Sequence, residues 1–379
     1  MTRTAKFFHR RYRRAEKFSP FGAEFLCFFS LRLQQLVACF MSCRAFYVLA
    51  AFCAFWGSAL AAKVSICIPV YNAEPWLPAA LDSACTQTLK DIEIICVDDG
   101  STDGSLAILK SYAARDPRIA IFENDCNRGT HYSRLRAIRA SQGDHILWLD
   151  ADDELFPTIA ELAFEKAKSS QADVVLFRTQ YARRIGSQRT VPKVLPEGGS
   201  GAYFLELAAE GAVSWNLWDK LWRGSMLREI AEEFWLFAQS HHLSKTEDLL
   251  LFWFAMRRCG SFAALPQLGY RYVASRGQAA RRWGDPAFWR RYVQDVCAVH
   301  AKIFAEAEEG KVLPLARKMT KRNEGTVLRL ILKLPQDESL ILFANYLDAH
   351  PQIFQKEILT VMAKLSGGFC REFMKNYGK

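Results

Sequence analysis

The sequence predicts an α/β fold: a doubly wound, mostly parallel sheet, followed by an aromatic-rich half and a helical C-terminal extension. Three observations carry this. Short apolar runs alternate with helix-spaced segments between Val64 and Phe177, the pattern of strands joined by crossover helices. Two of those runs stop abruptly in carboxylates, at Val97-Asp-Asp-Gly-Ser101 and at Leu149-Asp-Ala-Asp-Asp-Glu154. From Pro286 onward the apolar residues recur at helical spacing only.

Taken in order, Val64–Val70 reads as a buried strand, stopped by Pro69-Val-Tyr-Asn72. Trp76–Thr86 is a helix through Leu77, Ala80, Leu81 and Ala84, and Ile92–Val97 is the second strand. Ser101-Thr-Asp103 offers N-cap side chains to a helix through Leu106, Leu109 and Tyr112. Ile119–Phe122 is the third strand, Arg134–Ala140 a basic helix stopped at Gly143, and His145–Leu149 the fourth strand. Pro157–Ala167 is a helix and Asp173–Phe177 the fifth strand. Residues 180–200 are polar and Gly-rich and read as a mobile loop or a junction. An aromatic stretch follows (Trp215, Trp218, Trp222, Trp235, Trp253), then a strand at Gln267–Val273. Helical segments lie near Phe288–Phe304, Leu313–Leu332, Leu340–Leu347 and Ile353–Leu365. The expected division is 1–62 leader, 63–180, 181–285 and 286–379.

The 379 residues carry a net charge of +10, but residues 1–62 hold +7 of it, so the remainder is close to balanced. A basic face for nucleic acid is therefore not expected. Ala45–Ala62 is eighteen residues without a charge behind a basic flank, roughly enough to span a bilayer. Three readings stand: a membrane or in-plane anchor, a signal peptide starting at Met41 and ending near Ser58-Ala-Leu-Ala61, or an extension that is not made. With the basic end in the cytoplasm a single crossing would export the catalytic part, whereas an in-plane or hairpin anchor through Phe25–Leu31 and Leu36–Ala62 keeps it membrane-associated and cytoplasmic; the signal-peptide reading exports it. Eleven scattered cysteines with no paired CxxC indicate buried reduced thiols rather than a zinc site or a disulfide framework.

Acids at the carboxyl ends of parallel strands sit in the crevice where open α/β sheets bind ligands. Several aspartates gathered there repel one another unless a cation joins them, and a divalent ion carrying a diphosphate fits. Asp98 and Asp99 end one strand, and a carboxylate there can accept from a ring N–H of a base; Tyr71 stands beside them to stack on it. Asp150, Asp152 and Asp153 end another, with i, i+2 spacing that lets two carboxylates face one metal. Arg134 follows Asn127-Arg-Gly129 and can meet a phosphate or lock Asp99. Glu247-Asp248 opens the apolar run Leu249–Met256, as a dipole cap or as a general base. Lys220, between Trp218 and Trp222, is either a snorkelling core-edge lysine or a contact to acceptor or phosphate.

In order and spacing, Val64-Ser-Ile-Cys-Ile-Pro-Val-Tyr-Asn72, Val97-Asp-Asp-Gly-Ser-Thr-Asp-Gly104, Asn127-Arg-Gly129, Leu149-Asp-Ala-Asp-Asp-Glu154 and Thr246-Glu-Asp248 resemble the family 2 glycosyltransferases of the GT-A fold. The resemblance is strong over 63–178 and loose over 215–275; the leader and the helical tail lie outside it. It implies an inverting, hexosyltransferase-like enzyme with a nucleotide-sugar-binding half (63–180), an acceptor-binding half (181–285) and a Mg²⁺ or Mn²⁺ ion at a DXD motif. The implied donor is a nucleotide sugar, UDP-sugar foremost, and the implied acceptor a glycan or lipid-linked hydroxyl in cell-surface polysaccharide or lipopolysaccharide synthesis. Carried over, Tyr71 and Asp99 bind the base with Asp98 in support, Arg134 contacts the nucleotide, Asp150 sits by the ribose, Asp152 and Asp153 hold the metal, and Asp248 is the base. Glu247 and Lys220 are minor acceptor or phosphate contacts. One departure stands out: where the family often has Ala-Arg-Asn, this chain has Ser133-Arg-Leu135, so the amide is lost. The processive Gln-x-x-Arg-Trp motif is absent from the sequence, with Arg281-Arg-Trp283 a partial echo, which points to one sugar per encounter.

Rival readings fit less well. Phosphotransfer receivers and haloacid-type phosphatases carry their acids after the first strand, unlike this chain. A nucleotidyltransferase opens on a Gly-rich basic loop, which Val70–Pro78 lacks. A non-catalytic nucleotide-sugar-binding scaffold predicts a broken acid set, whereas all the acids are in place.

Overall fold

A computed structural model describes residues 62–331 apart from 184–188, 192–195, 244, 275–284 and 311, with residues 334, 341–343 and 346–347 beyond. The leader, and the expected helix at Ile353–Leu365, lie outside the described residues.

Helices and strands alternate through the first half. The strands are β1 (Val64–Val70), β2 (Ile92–Asp98), β3 (Ile119–Glu123), β4 (His145–Trp148), β5 (Glu154–Leu155) and β6 (Val174–Arg183). Between them run α1 (Leu77–Cys85), α2 (Ser105–Ala113), α3 (Thr130–Ala140) and α4 (Ile159–Ser170). The second half adds β7 (Arg189–Val191), β8 (Gly198–Ser200), α5 (Gly201–Ala209), β9 (Lys220–Arg223), α6 (Gly224–Ser240), α7 (Glu247–Arg258) and β10 (Ser261–Ala274). Helices α8 (Pro286–Glu309) and α9 (Leu313–Ile331) follow.

The described strands form one sheet in the order β3-β2-β1-β4-β9-β6-β10-β5, with β7 paired to β6 and β8 to β10. Strands β3, β2, β1 and β4 are mutually parallel. Strand β9 is antiparallel to both neighbours, so β6 and β10 run in the same direction as the first four. The apolar runs are continuous because both faces are covered: β1 from Val64 to Ile68 and β2 from Ile94 to Val97 are buried throughout. One apolar core extends across the whole sheet, and a smaller one joins α8 to α9 through Val293, Val296, Val327 and Ile331.

Expectations and structure part in four places. The loop expected over 180–200 is partly strand, because β6 runs on to Arg183 and pairs with β7 and β10. The sheet therefore passes unbroken from one half of the chain to the other. Helix α3 begins at Thr130, one turn earlier than its apolar spacing shows, since its first turn is polar. Helix α2 is capped at Gly104, not at Ser101–Asp103; Asp103 Oδ1 instead accepts from the Ser105 N–H at 3.0 Å. Helices α5 and α6 were masked by aromatic residues that lie in the core, among them Phe204 and Phe234. Among the described residues no helix is long and apolar enough to cross a membrane.

Candidate active site

Strand order reverses direction at β1, with β2 on one side and β4 on the other, and a crevice opens at such a switch point beyond the strand ends. Tyr71, Asp99, Asp150 and Asp152 follow those ends, and all four line one cavity of about 470 Å³. Arg134 from α3 and Glu247 from α7 complete that wall, and His242, Lys245, Phe288 and Arg291 form another.

Asp99 is 4% exposed and accepts three hydrogen bonds, which leaves room for one more on its two oxygens. Its Oδ1 accepts from Asn124 Nδ2 (2.7 Å) and Arg128 N (2.9 Å), and its Oδ2 from Gly129 N (2.9 Å). It thus pins the Asn127-Arg-Gly129 loop against the strand end. That loop needs its glycine: Gly129 has φ +91°, and a Cβ there would stand 2.6 Å from the Leu243 carbonyl oxygen. Gly100 is similar, with φ +71° and a Cβ position 2.7 Å from the Cys126 carbonyl carbon. Asp98 lies behind the cavity. Its Oδ2 accepts from Ser101 N at 3.1 Å, while Oδ1 is buried without a hydrogen bond among the described residues.

Arg134 is the electrostatic centre. It is 5% exposed, donates from Nη1 to Glu247 Oε1 (2.9 Å) and from Nη2 to Asp150 Oδ1 (3.0 Å), and lies 5.8 Å from the Trp148 ring centroid. Burial works against its charge, but Asp150, Glu247 and Asp248 outweigh burial and raise its pKa. It therefore ties α3 to Glu247, 113 residues further along the chain. It does not lock Asp99, which has its own donors.

Glu247 and Asp248 begin α7, and consecutive helical residues point about 100° apart. Glu247 faces the cavity; Asp248 is half-buried beside it, outside the cavity lining, its Oδ1 accepting from Leu249 N at 2.9 Å. Burial, then Glu247, pushes the Asp248 carboxyl up to about 7, with Arg134 and the Leu249 N–H pulling the other way.

Two further expected site residues, besides Asp98 and Asp248, lie outside the cavity lining. Asp153 is not a cavity residue: at 1% exposure its Oδ2 accepts from Tyr270 O–H (2.8 Å) and its Oδ1 from Val273 N (2.8 Å). Tyr270 O in turn accepts from Asp150 N at 3.1 Å, so Asp153 braces the acidic turn against β10. Burial and the neighbouring Asp150 and Asp152 push its pKa up to about 9. The next residue after an i, i+2 pair faces away from it, which the motif alone does not reveal. Lys220 is fully buried, donating to Asn216 O (2.6 Å) and to Asp219, near the rings of Phe204, Trp222 and Phe252. It does not reach the cavity, so neither the snorkelling nor the ligand reading describes it; it is a core ion pair. In the departing Ser133-Arg-Leu135 stretch, Ser133 Oγ accepts from Asn124 Nδ2 (3.0 Å) and Leu135 fills the core.

Among the described residues no group of three or more His, Cys, Asp or Glu stands ready to hold a metal. Asp150 and Asp152 in one cavity nevertheless fit Mg²⁺ or Mn²⁺ of the kind bound by one or two carboxylates plus substrate phosphates. Lys245, Phe288, Arg291 and His242 were not read as site residues. Their signal was faint: a lysine two residues before Glu247, and a basic, aromatic first turn of α8 that lies far along the chain from the acids.

Strand order, the antiparallel β9 and acids at the switch point define a GT-A-like fold. Residues 65–234 match the family described as Glycosyl transferase family 2. It is 34% identical over 165 residues to the glycosyltransferase EpsJ of Bacillus subtilis (strain 168), covering 42% of this chain and 47% of that protein. It is 40% identical over 113 residues to the cholesterol galactosyltransferase of Borreliella burgdorferi, covering 30% of this chain and 31% of the other. The chain thus spans about half or less of the length of these relatives. In three dimensions it resembles residues 1–349 of S. aureus TarS, crystallised with UDP-GlcNAc, with a TM-score of 0.58 at 18% identity over 80% of this chain and 84% of TarS 1–349.

Proposed function

We propose that the chain is an inverting glycosyltransferase that moves a sugar from a nucleotide-sugar donor, UDP-sugar foremost, to a hydroxyl of a glycan or lipid-linked acceptor in cell-surface polysaccharide or lipopolysaccharide synthesis. The observation that carries this is the convergence of strand-end acids on one cavity, closed by Arg134 bonded to Glu247 of the α7 pair. The UDP and UDP-GlcNAc complexes of the similarly folded TarS support the donor class.

Tyr71 and Asp99 receive the base at the β1 and β2 ends, with Asp98 behind. Asp150 holds Arg134 and faces the ribose. A divalent cation, Mg²⁺ or Mn²⁺, held by Asp150 and Asp152 together with donor phosphates, would neutralise charge on the departing diphosphate. Asp248, with its pKa near 7, takes the acceptor hydroxyl proton; the oxygen attacks the anomeric carbon from the face away from the diphosphate, which leaves with the bonding pair. Glu247 is ion-paired with Arg134 and serves as its anchor, leaving the role of base to Asp248. An in-plane or hairpin anchor in residues 1–62 would keep this chemistry at the cytoplasmic membrane surface, beside cytosolic donors.

The test is a thermal-shift screen against UDP-, GDP- and dTDP-sugars with and without Mn²⁺, followed by a nucleotide-release assay on the stabilising donor. Metal-dependent stabilisation by one donor class and turnover lost in Asp248→Asn are expected. No stabilisation by any nucleotide sugar would remove the proposal.

A further inference from the structure

The cavity has two walls of different charge built from different elements. Tyr71, Asp99, Asp150 and Asp152 stand after β1, β2 and β4, and two of the charges on that wall, Asp99 and Asp150, are answered locally. Asp99 has three N–H donors, and Arg134 lies between Asp150 and Glu247. The second wall holds Lys245, from the segment leading into α7, and Phe288 and Arg291, from the start of α8. Among the described residues neither Lys245 nor Arg291 is ion-paired with a carboxylate.

Lys245 is tied to the helix that carries Arg291. The Lys245 backbone N–H donates to the buried Asp295 of α8 at 3.0 Å, and Lys245 Nζ lies 5.5 Å from the Phe288 ring centroid. Arg291 and Asp295 are one helical turn apart, so the same contact that fixes Lys245 sets Arg291 beside it. The position of the pair relative to the base decides what it meets. In an in-line displacement the hydroxyl enters on the face away from the diphosphate, so groups contiguous with the base face the acceptor. Lys245 is three residues before Asp248, and Tyr292, next to Arg291, feels the Asp248 charge.

Resting on the transferase reading, we infer that Lys245 and Arg291 form an anion subsite for a phosphate group carried by the acceptor. The acceptor class is then phosphate-bearing rather than a neutral sugar. Two charge-assisted contacts from cations that have no ion-pair partner among the described residues suit a doubly charged group, and Phe288 closes one side of the subsite with an apolar surface.

The test uses the full chain loaded with UDP and Mg²⁺ and titrated calorimetrically with inorganic phosphate, beside the double variant Lys245→Met/Arg291→Gln. Phosphate should bind the UDP-loaded wild type and bind the double variant about tenfold more weakly, the scale of losing two charge-assisted contacts. The UDP affinity of the double variant should stay within about twofold of wild type, which also reports that it folds. Phosphate that binds only without UDP and is displaced by it would overturn the inference, because the donor diphosphate would then own both cations. Equal phosphate binding by wild type and variant, or none by wild type, would overturn it too. Failure of the wild type to bind UDP in the first titration would instead strike the transferase reading itself.

Discussion

Replacing Arg134 by Met removes the one guanidinium that lies between Asp150 and Glu247. The isosteric part of the side chain stays, so the loss is mainly of charge and of two hydrogen bonds, at 2.9 and 3.0 Å. Glu247 is only 8% exposed in its side chain and cannot recover its hydration, whereas Asp150, at 27%, recovers part of it. Breaking a buried pair from one side costs about 3–5 kcal/mol, and most of that falls on Glu247. For a domain of this size the cost corresponds to a drop in Tm of about 6–15 °C. The loss also has a pH signature. Asp248 already titrates near 7 with Arg134 pulling its pKa down; without Arg134 it titrates higher still. A carboxyl whose folded pKa lies above its unfolded value, about 4, leaves the folded state holding more protons than the unfolded chain. Stability then falls as pH climbs from that value through 7 and beyond, so the deficit of Arg134→Met is smaller near about pH 5 and full near about pH 8. Thermal unfolding of wild type and variant at both pH values measures this. A loss under about 1 kcal/mol at the higher pH, or an equal deficit at both, would show that Arg134 is not the charge centre of the site.

Asp248→Asn should abolish sugar transfer while leaving nucleotide binding intact. Wild-type turnover should rise as pH increases through about 7 and level off above, since the base works deprotonated; a flat profile across that interval would remove Asp248 from that role. Asp152→Asn should weaken nucleotide binding in the presence of Mg²⁺ or Mn²⁺ and leave the weaker binding seen with a chelator unchanged, which calorimetry with and without the ion separates. Gly129→Ala places a Cβ 2.6 Å from the Leu243 carbonyl oxygen at φ +91°. A cost of about 1–3 kcal/mol in denaturant midpoint, with weaker nucleotide binding, is expected because the N–H that holds Asp99 moves. Unchanged affinity would mean that Asp99 does not depend on this loop.

Much of the donor side was legible in one dimension. Buried parallel strands are continuous apolar runs, and an acid that ends such a run is visible at once; Val64–Val70 was bounded correctly and β2 to within one residue for that reason. The 180–200 stretch misled because polar residues on a peripheral strand look like a loop until a neighbouring strand pairs with them. Asp153 misled because spacing says which residues are adjacent, not which way each carboxyl turns; a tyrosine 117 residues later decided that. Of the two tryptophans that flank Lys220 in sequence only Trp222 lies by its ammonium, and the lysine sits deeper than expected.

By itself, the sequence determined the alternation of strands and helices, the strand-end positions of Tyr71, Asp99, Asp150 and Asp152, and the family whose motifs they resemble. These follow from short-range pattern and chain direction. The tertiary structure alone decided that Arg134 joins Asp150 to Glu247, that Glu247 rather than Asp248 faces the cavity, and that Lys245 and Arg291 share its second wall. The physical reason is that these pairings depend on which side chains are buried together after the sheet and the helices of the second half pack, and burial sets the strength of every charge among them.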